Sequence, residues 1–373
     1  MRVGFDARWY NQSGVGTYIA ELLKAFAEIP KAFELVVYED PENPVPVLNG
    51  SRISRVPMRS SKYSLAGQFE LRAHCKSAQI DLFHSPYQYG VPLLLSCPLV
   101  VTVHDLIPFL FRTRSWPKQL LAVPLVKMGY RAAAFRAHHI IADSANTARD
   151  VEWILKVPPC RITSIHLAAS EIPFHSRSDP SEKGDLFAKY GVHSPYVVVA
   201  SAGCNWRTKN LEGSLSALAL GRRSSGIDFQ TVVYGPGDGI ETLSKRNLTF
   251  ELNIQRVGYL PVCDLAALFR NAQLFIMPSL YEGFGLPILE AMSCGCPIVT
   301  SNAGSLAEVA GYGAQTFAPS SVDEMGKAVA RLLACPQVQD KWRRLATTRA
   351  ADFSWKRTAR DTAAVYQKVY GDA

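Results

Sequence analysis

What most narrows the fold of this chain is a rhythm that runs through it twice. Short β-rich runs alternate with helical stretches, and the alternation is interrupted once by a polar, proline-bearing segment. In the first half the strand candidates are Arg2 to Asp6, Glu34 to Tyr38, Leu82 to His84, Leu99 to Val103, His139 to Ala142 and Arg161 to Ile165. The second half starts again with Tyr196 to Ala200, then Phe229 to Tyr234, Ile254 to Val257, Leu274 to Met277 and Ile298 to Thr300. Strands separated by helices are the pattern of parallel sheets made from βαβ units, so the class is α/β. Between the halves, Ser170 to Pro195 carries Pro173, Pro180, Gly184 and Pro195 among polar residues and reads as a linker with one short helix. The expected organisation is a domain over 1–170, a linker over 171–195, a second domain over 196–354 and a final helix over 355–373. Open α/β sheets bind ligands beyond the carboxyl ends of their strands, so two such sheets facing each other place function in a shared cleft.

Composition supports two cores: 373 residues, 48% of them hydrophobic, exceed the usual size of one domain. The opening Met1 to Asp6 lacks the basic and then apolar run of a signal peptide. No segment supplies roughly twenty uninterrupted apolar residues, so the chain is expected to be neither secreted nor membrane-spanning. Its eight cysteines form no C-x-x-C pair and have no histidines at metal spacing, which predicts reduced thiols and a cytoplasmic protein. The formal charge of +8 favours an anionic partner: nucleic acid, an acidic membrane or a phosphorylated substrate. Nucleic acid is disfavoured, because no recognition motif or aromatic-basic platform is present.

The densest signal is the stretch Pro278 to Met292, reading Pro-Ser-Leu-Tyr-Glu-Gly-Phe-Gly-Leu-Pro-Ile-Leu-Glu-Ala-Met, directly after the strand ending at Met277. Strand, glycine-rich turn and helix follow in order. Gly283 and Gly285 let backbone N–H groups approach an anion, and Pro287 suits the first helical turn, whose positive end then points at that anion. Two carboxylates beside a phosphate site repel the ligand unless they bind hydroxyls, a job open to Glu282 and Glu290. The bland alternative is a solvated Glu282 and a Glu290 that only favours the helix dipole. Upstream, Ser201 to Asn210 joins the first strand of this half to a helix and puts Arg207 and Lys209 at the helix start, where cations are costly unless an anion binds.

The stretch 282–290 resembles the Glu-x7-Glu motif of the retaining, family 4 glycosyltransferases of the GT-B fold, and the resemblance extends over nearly the whole chain. It implies two Rossmann-like domains across a cleft. It assigns the donor sugar to Glu282, the diphosphate to the backbone of Gly283, Phe284, Gly285 and Leu286, and the nucleotide ribose to Glu290. Lys209 matches the family's phosphate-binding lysine. Cys204 stands after Gly203 where the family has arginine, which leaves that role lost or taken by Arg207. The turns Tyr234 to Gly237 and Val257 to Leu260 are similar to family turns, Leu260 lining the nucleobase pocket.

In the first half, Ser13-Gly14-Val15-Gly16-Thr17-Tyr18 precedes a helix expected over Ile19 to Ala27. By the resemblance, Gly14 and Gly16 lie over the donor diphosphate and border the acceptor; otherwise they are a plain helix start. His104 and Asp105 end the strand Leu99 to Val103, where the family carries a histidine. The ring is expected to bond donor sugar or acceptor, with Asp105 orienting it or acting on the acceptor. The Ala142-Asp143-Ser144 strand end also looks like a family segment. Between Asp105 and Asp143 there are six cations, no carboxylate and interleaved apolar residues: either a surface for an anionic membrane or a core helix with a solvated basic face.

The resemblance implies transfer of a hexose from a nucleotide-diphosphate donor, with GDP-mannose the first guess, to a saccharide or lipid-linked acceptor in surface polysaccharide synthesis. No cofactor and no metal are expected, since Asp-x-Asp occurs nowhere in the sequence. The rival readings are a nucleotide-sugar epimerase, which needs no acceptor, and a non-catalytic nucleotide-sugar-binding partner.

Overall fold

The computed structural model describes residues 1–10, 13–29, 33–46, 52–111, 117–177, 179–201, 208–236 and 251–372. Gly203 and Arg207 lie outside them. The chain divides into two compact units, Met1–Leu167 with Ser354–Ala373, and Ala168–Phe353.

In the first unit the elements are β1 (Arg2–Asp6), α1 (Ser13–Glu28), β2 (Glu34–Glu39), β3 (Ile53–Pro57), α2 (Leu65–Ser77), β4 (Leu82–Ser85), β5 (Leu99–Val103), α3 (Ile107–Leu110), α4 (Pro117–Arg136), β6 (His139–Ala142), α5 (Ala145–Leu155), β7 (Ile162–Ser164) and, from the far end of the sequence, α13 (Trp355–Gly371). The strands form one parallel sheet in the order β3-β2-β1-β4-β5-β6-β7. Helices cover both faces of a parallel sheet, so β4, β5 and β6 are buried along their whole length and read as apolar runs rather than alternating ones. The edge strand β3 escapes that signal: Ile53-Ser54-Arg55-Val56-Pro57 has no buried residue and ends in proline, which an edge tolerates. Helix α1 starts at Ser13 rather than at Ile19, so Gly14 and Gly16 lie in its first turn and not in a preceding loop. The first turn has no internal N–H bonds to lose, which makes glycine cheap there.

A buried hydrogen-bond chain fixes α13 to this sheet. Tyr366 Oη lies 2.6 Å from His84 Nδ1, His84 Nε2 lies 2.8 Å from Thr102 Oγ1, and that hydroxyl lies 3.0 Å from Tyr18 Oη. Burial, helped by nearby His104, pushes His84 down to about 3 and keeps its ring neutral, a state two hydroxyls satisfy by one accepting and the other donating. Helix α13 is capped by Ser354 and bonded through Thr358 Oγ1 to His166 O at 2.6 Å.

The second unit contains α6 (Glu182–Tyr190), β8 (Tyr196–Ala200), α7 (Leu211–Ser225), β9 (Gln230–Tyr234), β10 (Ile254–Gly258), α8 (Val262–Asn271), β11 (Leu274–Met277), α9 (Leu286–Ser293), β12 (Ile298–Ser301), α10 (Leu306–Ala310), β13 (Gln315–Phe317), α11 (Val322–Ala334) and α12 (Pro336–Ala350). Its sheet is also parallel, in the order β10-β9-β8-β11-β12-β13. The residues after Ala168 pack on this unit: Arg270 of α8 pairs with Glu182 of α6 at 2.6 Å and donates to Pro173 O at 2.9 Å. The chain leaves β8 toward β9 on one side and later returns to place β11 on the other. That change of direction opens a crevice beyond the carboxyl ends of β8 and β11, the usual ligand position in such sheets.

Candidate functional site

The segments following β8 and β11 meet at that crevice, and their backbones are tied together. Leu280 N donates to Thr208 O at 2.6 Å, and Asn210 Nδ2 donates to Pro278 O at 3.1 Å and Pro319 O at 2.9 Å. Asn210 sits in the left-handed region at φ 51° and caps α7 by accepting from Gly213 N, two things asparagine does at little cost. This brace brings Lys209 Nζ to 2.8 Å from Glu282 Oε1, with both side chains mostly buried. The hydroxyls of Ser201 and Ser279, also at these strand ends, are buried with no partner among the described residues.

The glycine-rich turn is pinned from its other side. Ser305 Oγ lies 2.9 Å from Glu282 O and 2.8 Å from Phe284 O, while Ser301 Oγ donates to Ser279 O. Gly304 lets this approach happen, since a Cβ there would stand 3.1 Å from both N and O of Glu282. Gly285 caps α9 at φ 102°, a conformation closed to other residues in practice, and a Cβ would also meet Leu306 at 2.7 Å. Leu286 begins the helix, so its positive end lies beside the Lys209–Glu282 pair. Phe284 is buried against Phe353.

Glu290, one turn into α9, has its pKa pushed up to about 7 by burial, an effect that the charge of Lys209 partly offsets. Tyr234, at the end of β9, is pushed far up by burial and then by the charges of Glu290 and Glu282. Leu260, half-buried, follows β10, whose Gly258 O accepts from Gly235 N at 2.7 Å. Lys209 and Glu282 thus meet directly, Glu290 lies near Lys209, and the turn of Gly283, Phe284, Gly285 and Leu286 joins the two glutamates at the start of α9. Asn210, Gly304 and Ser305 escaped the sequence reading. Their work is to hold other segments, and only the Asn and Gly-Ser punctuation of their loops hints at it.

In the first unit, His104 follows β5 and is gripped on both sides. Its Nδ1 lies 2.6 Å from Asp143 Oδ2 and its Nε2 lies 2.8 Å from Pro86 O. A carboxylate and a carbonyl have no hydrogen to give, so both ring nitrogens carry one. Burial opposes that charge, but attraction and hydrogen bonding to Asp143, with the Pro86 bond, raise the pKa of His104 on balance. The orienting carboxylate is Asp143, at the end of β6, and not Asp105. Asp105 instead accepts from Ile107 N at 2.9 Å at the start of α3, because the chain turns away immediately after β5. The Ala142-Asp143-Ser144 strand end was the sequence signal for this partner. Tyr18 of α1 packs edge-on against His104 at 5.1 Å, so the first turn of α1, with Gly14 and Gly16, lies at the same edge of this sheet. A Cβ on Gly14 would meet nothing within 4 Å.

Among the described residues no three His, Cys, Asp or Glu side chains converge as a metal site, and no helix is long and apolar enough to cross a membrane. The seven described cysteines are free thiols.

Comparison with known proteins covers both units. Residues 182–349 match the family model of glycosyl transferases group 1, and residues 12–169 match that of glycosyltransferase family 4. The chain is 28% identical to O-antigen chain mannosyltransferase B of Escherichia coli, over 96% of this chain and 97% of that one. It is 29% identical to the MMP alpha-(1->4)-mannosyltransferase of Mycolicibacterium hassiacum, over 79% of this chain and 72% of the relative. Sucrose-phosphate synthase from Thermosynechococcus elongatus superposes with a TM-score of 0.76 over all of both chains at 17% identity, a likeness of fold. With both units matched, the chain belongs to the family 4 glycosyltransferases and has the GT-B fold.

Proposed function

We propose that this enzyme transfers mannose from GDP-mannose, with retention of configuration, to a saccharide or lipid-linked saccharide acceptor in surface polysaccharide synthesis. The observation that carries the reading is the Lys209–Glu282 ion pair beside the start of α9. Unliganded, each charge satisfies the other. A diphosphate arriving at the helix end takes Lys209 as its counterion and frees Glu282 to accept hydrogen bonds from the donor sugar. Glu290 reads the ribose hydroxyls. The choice of mannose rests on the two mannosyltransferase relatives, both below 30% identity.

In the transfer, the acceptor hydroxyl oxygen bonds to the anomeric carbon on the face from which the sugar–phosphate bond breaks. Its proton passes to the departing phosphate oxygen. His104, protonated on both nitrogens, is not the base; it supplies fixed positive charge at the acceptor edge of the first unit. Charge growing on the diphosphate is met by Lys209 and the end of α9, without a divalent ion in this reading. The test is to incubate the protein with GDP-mannose and a mannoside acceptor, with and without EDTA. NMR of the product should show the donor's anomeric configuration, and chelation should leave the rate unchanged. An inverted product sinks the stereochemical reading. Release of nucleotide from donor alone, at a rate no acceptor changes, supports an epimerase.

A lipid-linked acceptor fits the outer side of α4. Leu125, Met128 and Phe135 are 68%, 61% and 89% exposed there, beside Lys127 and Arg131, the composition of a surface that rests on anionic lipid. Vesicles rich in anionic lipid should retain the protein at low salt, and Phe135→Ser should weaken retention. Equal recovery from neutral and anionic vesicles removes membrane docking from the proposal.

A further inference from the structure

The carboxyl ends of β1, β2 and β3 enclose a second depression, on the first unit, lined by Arg8, Asp40, Glu42, Arg59, Lys62 and Tyr63. Its floor is a buried pair: Arg8 Nε and Nη2 donate to Asp6 at 2.8 and 2.7 Å, and neither side chain is appreciably exposed. The third nitrogen, Arg8 Nη1, is buried and finds no acceptor among the described residues, and neither does the indole N–H of the next residue, Trp9. Lys62 Nζ stands 3.7 Å above the Trp9 ring and donates to Arg8 O at 3.0 Å. Tyr63, 69% exposed, packs edge-on to Trp9 at 5.5 Å. The loop is held in this shape by Glu70, which accepts from Arg59 N and Ser60 N at 2.9 and 2.8 Å.

The charges decide what kind of group fits. Asp6 cancels Arg8, while Asp40 and Glu42 oppose Arg59 and Lys62, so the lining is close to neutral. An anion entering here meets carboxylates as well as cations and gains little. A sugar ring gains more, because its hydroxyls both donate and accept and its C–H face lies well on an exposed aromatic ring. The depression lies near the acceptor edge: Trp9, behind Lys62 and Tyr63, packs on Tyr87 at 4.5 Å, and Tyr87 packs on His104 at 5.9 Å, so two ring contacts connect the two places.

We propose that this depression is an acceptor subsite for a neutral saccharide, holding a sugar unit next to the one whose hydroxyl reacts at His104. It rests on the glycosyltransferase reading above and adds that the acceptor spans at least two sugar units.

The test uses the full chain and saturation-transfer NMR with α-linked mannobiose, mannose and inorganic phosphate as separate probes. Mannobiose should bind with both rings saturated and more tightly than mannose, and phosphate should not displace it. Lys62→Met, which keeps the stem over Trp9, and Tyr63→Ala should each raise the mannobiose dissociation constant by about tenfold, the cost of one good contact. Melting temperature checks that both variants fold. Displacement by phosphate, or dissociation constants unchanged in both variants, overturns the subsite. The readout does not depend on turnover: failure of GDP to stabilise the protein removes the donor reading alone, whereas unchanged mannobiose dissociation constants in both variants remove the subsite alone.

Discussion

Lys209 and Glu282, seventy-odd residues apart and carried by different strand ends, stand 2.8 Å from each other in a mostly buried ion pair. Removing one member strands the other charge where water does not easily reach it. Lys209→Met should therefore cost roughly 1–3 kcal/mol of stability, and adding Glu282→Gln should restore part of it. Activity should not follow stability. The double variant should remain at least about a hundredfold slower than the parent, because the counterion for the leaving diphosphate is still missing. Denaturant melts and steady-state rates on the parent and the two variants check this, and recovery of rate together with stability contradicts the role given to Lys209.

Glu290 gives a pH signature. Burial raises its carboxyl from the ordinary range to about 7, so the folded form holds a proton that the unfolded chain has already lost. Its favourable contribution is complete below about pH 4.5 and disappears as pH rises through about 7. Glu290→Gln should accordingly melt at a higher temperature than the parent at pH 8 and show no such gain at pH 4.5. Nucleotide binding runs the other way. An ionised Glu290 accepts from ribose hydroxyls, so affinity measured by titration calorimetry should fall below about pH 7 in the parent and vary less in the variant.

The His104–Asp143 pair has the opposite chemistry with the same sign. The imidazolium is favoured in the fold, so its stabilisation is present in full below about pH 6.5 and fades as pH rises through the raised folded value. His104→Gln should lower the melting temperature more at pH 6 than at pH 9. Asp143→Asn, which removes the charge but keeps the shape, should reproduce that pH dependence. A loss equal at both pH values shows a neutral ring.

Tyr366→Phe deletes one hydroxyl and leaves His84 Nδ1 buried without its partner. The expected cost is about 1–3 kcal/mol, seen as a lower denaturant midpoint with an unchanged slope. Thr102→Val breaks the same chain from its other end, and the two losses should be less than additive because each already disconnects His84.

The most legible strands are those buried on both faces, such as Leu99–Val103 and Tyr196–Ala200, where apolar runs follow directly from sandwiching between helices. Of the four edge strands among the described residues, Ile162–Ser164 and Ile254–Gly258 were also legible and two were not. Ile53–Pro57 and Gln315–Phe317 bury no residue fully and exist because a neighbour offers backbone groups to pair with, which no local composition encodes. The start of α1 was misplaced because glycine was read as a break, although a first helical turn accepts it. At the site, Glu282, Glu290 and Lys209 stood out because a carboxylate or cation beside a glycine turn needs a reason to be there. Asn210 and Ser305 did not, since each acts on a segment distant in sequence, and Asp143 stood out only as part of its strand end, without His104 as its partner. Asp105 was given the work of Asp143 for its adjacency to His104, and adjacency along a strand end says little about which side chains meet.

The helix Trp355–Gly371 that packs into the first unit is made after the whole second unit, and this orders events on the ribosome. Residues up to Leu167 emerge early, yet the surface meant for Tyr366 stays open while the whole second unit is synthesised, on the order of ten to forty seconds at ordinary elongation rates. For that interval the nascent first unit is an incomplete body with an apolar flank available to chaperones. A stop codon placed directly after Phe353 should therefore do more harm to the beginning of the protein than to the part just translated.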